Sequence, residues 1–240
     1  MSTNNIKEKN AIHEFPNYEN AVKAFFSDIE MQKRTYNNTG EAINKFLKTT
    51  RSDAPEMIEY LTANHQNPQN HVILGAIYMY KVLCNRRPKS FDEYRKAAEC
   101  NDPHGQYLLG CYYVAGIGTN QSSEMAVYWQ RQAANQRIPS AHFALGYHYQ
   151  YGYGVKKNLL NFYYYLQKAA ESGHIRAMRK LANAHNCGAG TLQDNHKAIY
   201  WATKYKKAAS DDYANTFMKN LFDPDLHRQK KMYFGMWCYW

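Results

Sequence analysis

The chain has 240 residues, 45% hydrophobic and 21% charged, and its formal net charge is +10. That length suits one elongated domain or two small ones, and the composition excludes a disordered chain. No apolar run approaches the roughly 18–20 residues that a membrane-spanning helix needs.

In chain order, Met1 to Asn10 is polar with no apolar stretch behind it. This predicts a cytoplasmic protein, with delivery by a specialised secretion route left open. Tyr18–Arg34, Gly40–Thr50 and Ala54–Asn64 read as helices of a capping region over residues 1–69, with room for one degenerate repeat. Asp53-Ala-Pro55-Glu56 has the form of a helix start, with Asp as N-cap and an acid in the first turn. A repeated organisation then runs from 70 to 210, in units of about 70–103, 104–139, 140–175 and 176–210. After it, Asp211-Asp212 opens a short helix, Asp223-Pro224-Asp225 breaks the chain, and a basic, aromatic tail ends at Trp240. Residues 211–240 are expected to cap the open end of the repeat core, because terminal repeats must hide their apolar faces.

The repeat rests on four markers that keep one period. Leu74-Gly75, Leu109-Gly110, Leu145-Gly146 and Leu181-Ala182 stand 35, 36 and 36 residues apart. Three positions after each pair come Tyr78, Tyr113, Tyr149 and, breaking the pattern, His185. Ala97-Ala98, Ala133-Ala134 and Ala169-Ala170 recur at 36, as do Tyr128-Trp129, Tyr164-Tyr165 and Tyr200-Trp201. A fixed period of this length signals a repeat array. Each unit reads as two helices joined by a G-x-G turn, at Gly116-Ile-Gly118, Gly152-Tyr-Gly154 and Gly188-Ala-Gly190, where glycine can take the positive φ that ends a helix. Gly110 and Gly146 lie mid-helix, where glycine is disfavoured by about 1 kcal/mol against alanine. Both are expected at close helix crossings.

The stretch Ala141 to Gly173 carries A-x-x-x-L-G-x-x-Y, then G-x-G-V, then Y-x-x-x-A-A-x-x-G. In this it resembles the Sel1-like repeat, a relative of the tetratricopeptide repeat. Residues 104–137 match well. Residues 177–209 drift, with Ala182 for Gly, His185 for Tyr and no Ala pair at Tyr205-Lys206. Residues 70–99 lack the G-x-G. The resemblance implies an all-α, right-handed superhelical solenoid of antiparallel helix pairs. It also implies a non-catalytic protein-interaction module: an adaptor, scaffold or inhibitor-type partner.

Motifs for catalysis are missing: there is no G-x-S-x-G, H-E-x-x-H or G-x-x-x-x-G-K-[ST]. No enzyme activity, cofactor or metal is expected. His142 and His148 are six apart on a helix and point to different faces. His185, Cys187, Asp194 and His196 have no standard ligand spacing. The five cysteines, at 84, 100, 111, 187 and 238, form no C-x-x-C and predict reduced thiols.

In helix-pair solenoids the first helix of each repeat lines a concave groove. The resemblance to tetratricopeptide repeats implies the groove slots six and three before the marker glycine and one and four after it. These are Val72, Ala76 and Met79; His104, Tyr107, Cys111 and Val114; Ser140, Phe143, Tyr147 and Gln150; and Arg176, Arg179, Asn183 and Asn186. The expected groove runs from apolar through aromatic to basic. Residues 156–240 hold 14 Lys and Arg against six Asp and Glu, which favours an acidic partner. The first expectation is a protein segment bearing carboxylates. The alternative is RNA, prompted by the charge, the aromatics and the helical repeats. A continuous basic stripe would favour nucleic acid, and an aromatic groove with one basic end would favour a peptide.

Overall fold

The computed structural model describes residues 54–80, 87–209 and 212–221, and these contain ten α-helices and no strand. The expected helices at Tyr18–Arg34 and Gly40–Thr50, the capping tail and the degenerate turn at Cys84–Pro88 lie wholly or partly outside the described residues. We number the helices α1 (Ala54–Ala63), α2 (Pro68–Tyr80), α3 (Arg87–Glu99), α4 (Pro103–Ala115), α5 (Ser123–Asn135), α6 (Pro139–Tyr151), α7 (Leu159–Glu171), α8 (Ile175–Cys187), α9 (Asn195–Ala209) and α10 (Asp212–Leu221). They form a solenoid of antiparallel pairs, α2/α3, α4/α5, α6/α7 and α8/α9. Each helix packs on its sequence neighbours, as a 36-residue unit with short connections dictates.

The turns inside the pairs are built alike. Gly116, Gly152 and Gly188 cap the first helices in the left-handed conformation, φ 64°, 79° and 73°. Six residues after each of these glycines, Ser122, Asn158 and Asp194 start the second helices. Their side-chain oxygens accept from the N–H of Met125, Asn161 and Lys197 at 3.2, 3.0 and 2.9 Å. The backbone N–H groups of these caps donate to Tyr113 O, Tyr149 O and His185 O at 3.0, 2.8 and 2.8 Å. That slot supplies a main-chain acceptor, so His185 keeps the turn intact although it breaks the tyrosine pattern.

The apolar markers fill the space between pairs. Leu109, Leu145 and Leu181 are wholly buried, each worth about 2 kcal/mol or more against exposure. The alanine pairs put small side chains where the next first helix comes closest, and a Cβ on Gly105 would lie 2.5 Å from Ala97 Cβ. In α9 the pair is replaced: Tyr205 is buried and packs edge-on against Phe217 of α10 at 5.4 Å. A large ring there takes the place of an alanine against the short terminal helix.

Gly110 and Gly146 part company. A Cβ on Gly110 would lie 2.6 Å from Gln130 Cγ and 3.1 Å from Ala126 O, a close crossing as expected. On Gly146 the nearest atom would be Phe162 O at 3.6 Å, an ordinary contact, so the expectation of a tight crossing fails there. Gly146→Ala should therefore be neutral or stabilise by up to about 1 kcal/mol, through the backbone freedom lost in the unfolded chain. Gly110→Ala should destabilise by about 1–2 kcal/mol. Urea midpoints of the two variants decide the matter, and equal shifts would show the crossings to be alike.

Candidate functional site

The first helices α4, α6 and α8 differ sharply in charge. None of the three contains an Asp or Glu, and α4 and α6 contain no Lys or Arg. All the charge of this layer sits on α8, as Arg176, Arg179 and Lys180. On α6, Ala141 and Leu145 are buried and pack with Val127 and Ala133 of α5. Phe143 and Tyr147 lie two residues further on, about 200° round the helix, on the side turned away from α5.

There α6 meets α8. The Arg176 guanidinium stands 5.4 Å over the Phe143 ring, and the Lys180 ammonium 5.4 Å over the Tyr147 ring. Phe143 and Tyr147 pack edge-on at 5.0 Å, and His174 stacks on Phe143 at 4.4 Å. Cations over ring faces gain from the ring quadrupole, more so where water is excluded. Lys180 is only 6% exposed. Burial, and then the neighbouring Arg179 and Arg176, push its ammonium down from 10.5 to about 8. Positive charge is concentrated here and is uncompensated by any carboxylate on the same layer.

Of the residues expected to line the groove, the structure brings Phe143, Tyr147, Arg176 and Arg179 to this one place. His104, Tyr107, Ser140 and Asn183 are half-buried along the same layer. Tyr107 leans towards the next pair and packs with the α5–α6 cluster. Four expectations fail on burial, Ala76 among them at 2% exposed in the core around α2. Val72 lies in the core around α2, Gln150 is 1% exposed, and Asn186 is buried with its amide donating to Leu221 O at 3.3 Å. Phe143, at 8% exposed, supports Arg176 from beneath rather than standing free. The half-buried Cys111 thiol hydrogen-bonds Tyr107 and Gln130, and burial pushes it up to about 11, so it is a poor nucleophile. The Met79 side chain falls outside the described residues.

Sequence reasoning missed Lys180, His174, Tyr151 and Tyr153. Lys180 carried a signal: four residues from Arg176, it shares the face of that cation, and the matching slots in the earlier repeats are Leu108 and Ala144. His174 starts α8 by accepting from the Ala177 N–H at 3.2 Å. Around the drifted turn, the His185 ring faces Tyr163 at 5.4 Å and Asp194 caps α9. Cys187 is disulfide-bonded. The expectation of a reduced thiol fails for this cysteine. Among the described residues no group of three His, Cys, Asp or Glu is placed to hold a metal.

A family model described as Sel1 repeat matches residues 103–137, 139–174 and 175–213. The chain carries Sel1 repeats. They coincide with α4/α5, α6/α7 and α8/α9, so the α6–α8 contact just described is a junction between two Sel1 repeats. Among curated proteins the chain is 33% identical over 150 residues to an uncharacterized protein of Neisseria meningitidis serogroup B. The match spans 62% of this chain and 28% of that longer protein. Among solved structures it is similar to a Sel1 repeat protein from Oxalobacter formigenes. Their TM-score is 0.60 at 23% identity, over 83% of this chain and 74% of that one. It is also similar to a protective antigen present in uropathogenic Escherichia coli strains that displays an SLR fold. Here the TM-score is 0.61 at 22% identity, over 87% and 43% of the two chains. These structural likenesses establish the solenoid fold. Proteins built of Sel1 repeats generally mediate protein–protein interactions, and the repeat is generally a non-catalytic interaction module. Among the described residues no helix is long and apolar enough to cross a membrane.

The outer helices of the Sel1 repeats carry a second aromatic series. Tyr128, Tyr164 and Tyr200 are each about half exposed, on α5, α7 and α9. Lys168 and Lys204 lie over the last two rings at 5.8 and 4.7 Å. The second member of each pair, Trp129, Tyr165 or Trp201, is turned inward and less exposed.

Proposed function

We propose that the protein is an adaptor, scaffold or inhibitor-type partner that binds a carboxylate-bearing segment of another protein on the α4–α6–α8 face. The observation that carries this reading is the cluster of Arg176, Arg179 and Lys180 beside Phe143 and Tyr147, on a layer with no Asp or Glu. Tyr107 and Tyr147 serve as apolar anchors, with Phe143 beneath, and Arg176 and Arg179 form the charged clamp. Aromatics and arginine are the side chains most enriched at binding hot spots, and an arginine fork pairs bidentately with carboxylate. Because α4 and α6 carry no Lys or Arg, the basic character is confined to one end, which favours a peptide over RNA.

A photo-crosslinker placed at 147, with one at 164 as control, would capture and identify the partner. Affinity is then measured on the purified pair. Tyr147→Ala is expected to weaken binding by about 2 kcal/mol, and Tyr164→Ala on the outer layer by little. Arg176→Glu with Arg179→Glu should slow association and flatten its salt dependence. A double reversal that leaves both untouched would move the site to the outer tyrosines.

A further inference from the structure

The two walls of the α6–α8 groove are not uniform along their length. On α6, Phe143, Tyr147 and Tyr151 recur every fourth residue, and the ring series continues to Tyr153 in the following turn. Successive centroids lie 5.0, 5.8 and 5.5 Å apart. On α8, Arg176 and Lys180 are also four apart and cover the first two rings. Beyond Lys180 the helix reads Leu-Ala-Asn-Ala-His-Asn-Cys, with no Lys, Arg, Asp or Glu, and its one imidazole, His185, is buried against Tyr163. One end of the groove is therefore cationic over aromatic, and the other is aromatic alone, ending at Tyr153, which is 58% exposed.

We infer that this groove reads an extended protein segment in one direction, with an oxyanion-bearing side chain against Arg176 and an aromatic side chain two to four residues away on Tyr151 and Tyr153. The inference rests on the groove reading above and adds to it an order and a spacing. The spacing follows from the helix: Tyr147 to Tyr151 is about 6 Å and Phe143 to Tyr151 about 12 Å along the axis. An extended chain rises about 3.3 Å per residue, so roughly two to four residues span the distance. The choice of an anion at the first end follows from charge complementarity. Arg176 is exposed and already held over a ring, so little side-chain freedom is left to lose. Arg179 and the buried Lys180 add to the positive field beside it, and α4, α6 and α8 contain no Asp or Glu. The choice of an aromatic at the second end follows from ring–ring packing, which prefers offset or edge-on partners at 4.5–7 Å.

The test is selection of a random peptide library on the purified full chain, followed by affinity measurement with dye-labelled synthetic copies of the winners. Arg176 and Tyr153 are both exposed, so Arg176→Gln and Tyr153→Ala should fold as the parent does, checked by circular dichroism. The expected winners carry Asp or Glu and an aromatic in one fixed order, two to four positions apart. Arg176→Gln should lose the acidic preference and keep the aromatic one, and Tyr153→Ala the reverse. Each should lower affinity about tenfold, as loss of one hot-spot side chain does. Reversing the order of acid and aromatic should lower it comparably. Winners with no fixed spacing, or both variants losing the same preference, would overturn the inference. The groove reading would survive that result if Tyr147→Ala still abolished binding. Winners indifferent to all three variants would overturn both, as would a labelled RNA that competes them off, or sedimentation showing a second copy of the chain on this face.

Discussion

Gly154→Ala and Gly190→Ala are expected to destabilise the fold by about 3 kcal/mol each, far more than the change of one methyl suggests. Both glycines take positive φ, 67° and 72°, which an L side chain adopts at a cost of about 1–2 kcal/mol. The larger difficulty is contact with the preceding repeat. A Cβ on Gly154 would stand 2.4 Å from the Ser123 carbonyl, and one on Gly190 2.0 Å from Leu159 O. Both neighbours are main-chain atoms in the first turn of an outer helix, so no rotamer change relieves the overlap, and forced backbone shifts add about 1–3 kcal/mol. The second glycine of each G-x-G is thus a contact between repeats as well as a turn residue. Gly152→Ala isolates the φ effect, because a Cβ there would meet its nearest neighbours at 3.5 Å, and should lose about 1–2 kcal/mol. For a chain of this size 3 kcal/mol corresponds to a fall in Tm of roughly 6–12 °C. Equal losses at 152 and 154 would show that the approach to Ser123 is looser than the geometry states.

Much of this architecture is legible in the sequence because it depends on residues whose properties are local. Leu145, Ala133 and Gly152 announce burial, close packing and chain reversal by residue type, and the 36-residue spacing multiplies each signal. The binding face is less legible. Slots carried over by analogy assume that every first helix presents the same faces, yet Gln150 and Asn186, four after the marker, are buried while the equivalent Val114 is 41% exposed. Whether such a slot is covered depends on the next helix in the array, which no position declares for itself. Lys180 was overlooked for the opposite reason. A lysine one residue from Arg179 reads as solvated surface, and only the approach of Tyr147 from α6 makes it a buried cation. Gly146 shows a third limit: residue type announced a crossing, but the distance that decides its tightness belongs to Phe162 on another helix.

The groove and the fold are joined at His174, and acid should uncouple them. Its imidazole is 4% exposed, and the ring nitrogen Nδ1 accepts from the Ala177 N–H to start α8 while the ring stacks on Phe143. A protonated imidazole could not accept there and would lie beside Arg176. Burial first, and then Arg176, hold its pKa down at about 4 against the ordinary 6.5. The folded state therefore binds this proton less readily than the unfolded chain. The corresponding stability is complete above pH 6.5 and is lost as pH falls towards 4, at about 1.4 kcal/mol per unit, or about 3 kcal/mol in all. His148, held low chiefly by burial, adds to the same slope. Asparagine also accepts at a helix N-cap but does not titrate in this range, so His174→Asn separates the two roles. The variant should be less stable at pH 7, having lost the stack on Phe143, and its unfolding free energy should fall much less steeply between pH 6.5 and 4. Parallel pH profiles for the parent and His174→Asn would show that the imidazole is not the group that acid attacks. A flattened profile would show that the start of α8, and with it the placement of Arg176 over Phe143, depends on a histidine kept neutral by its neighbours.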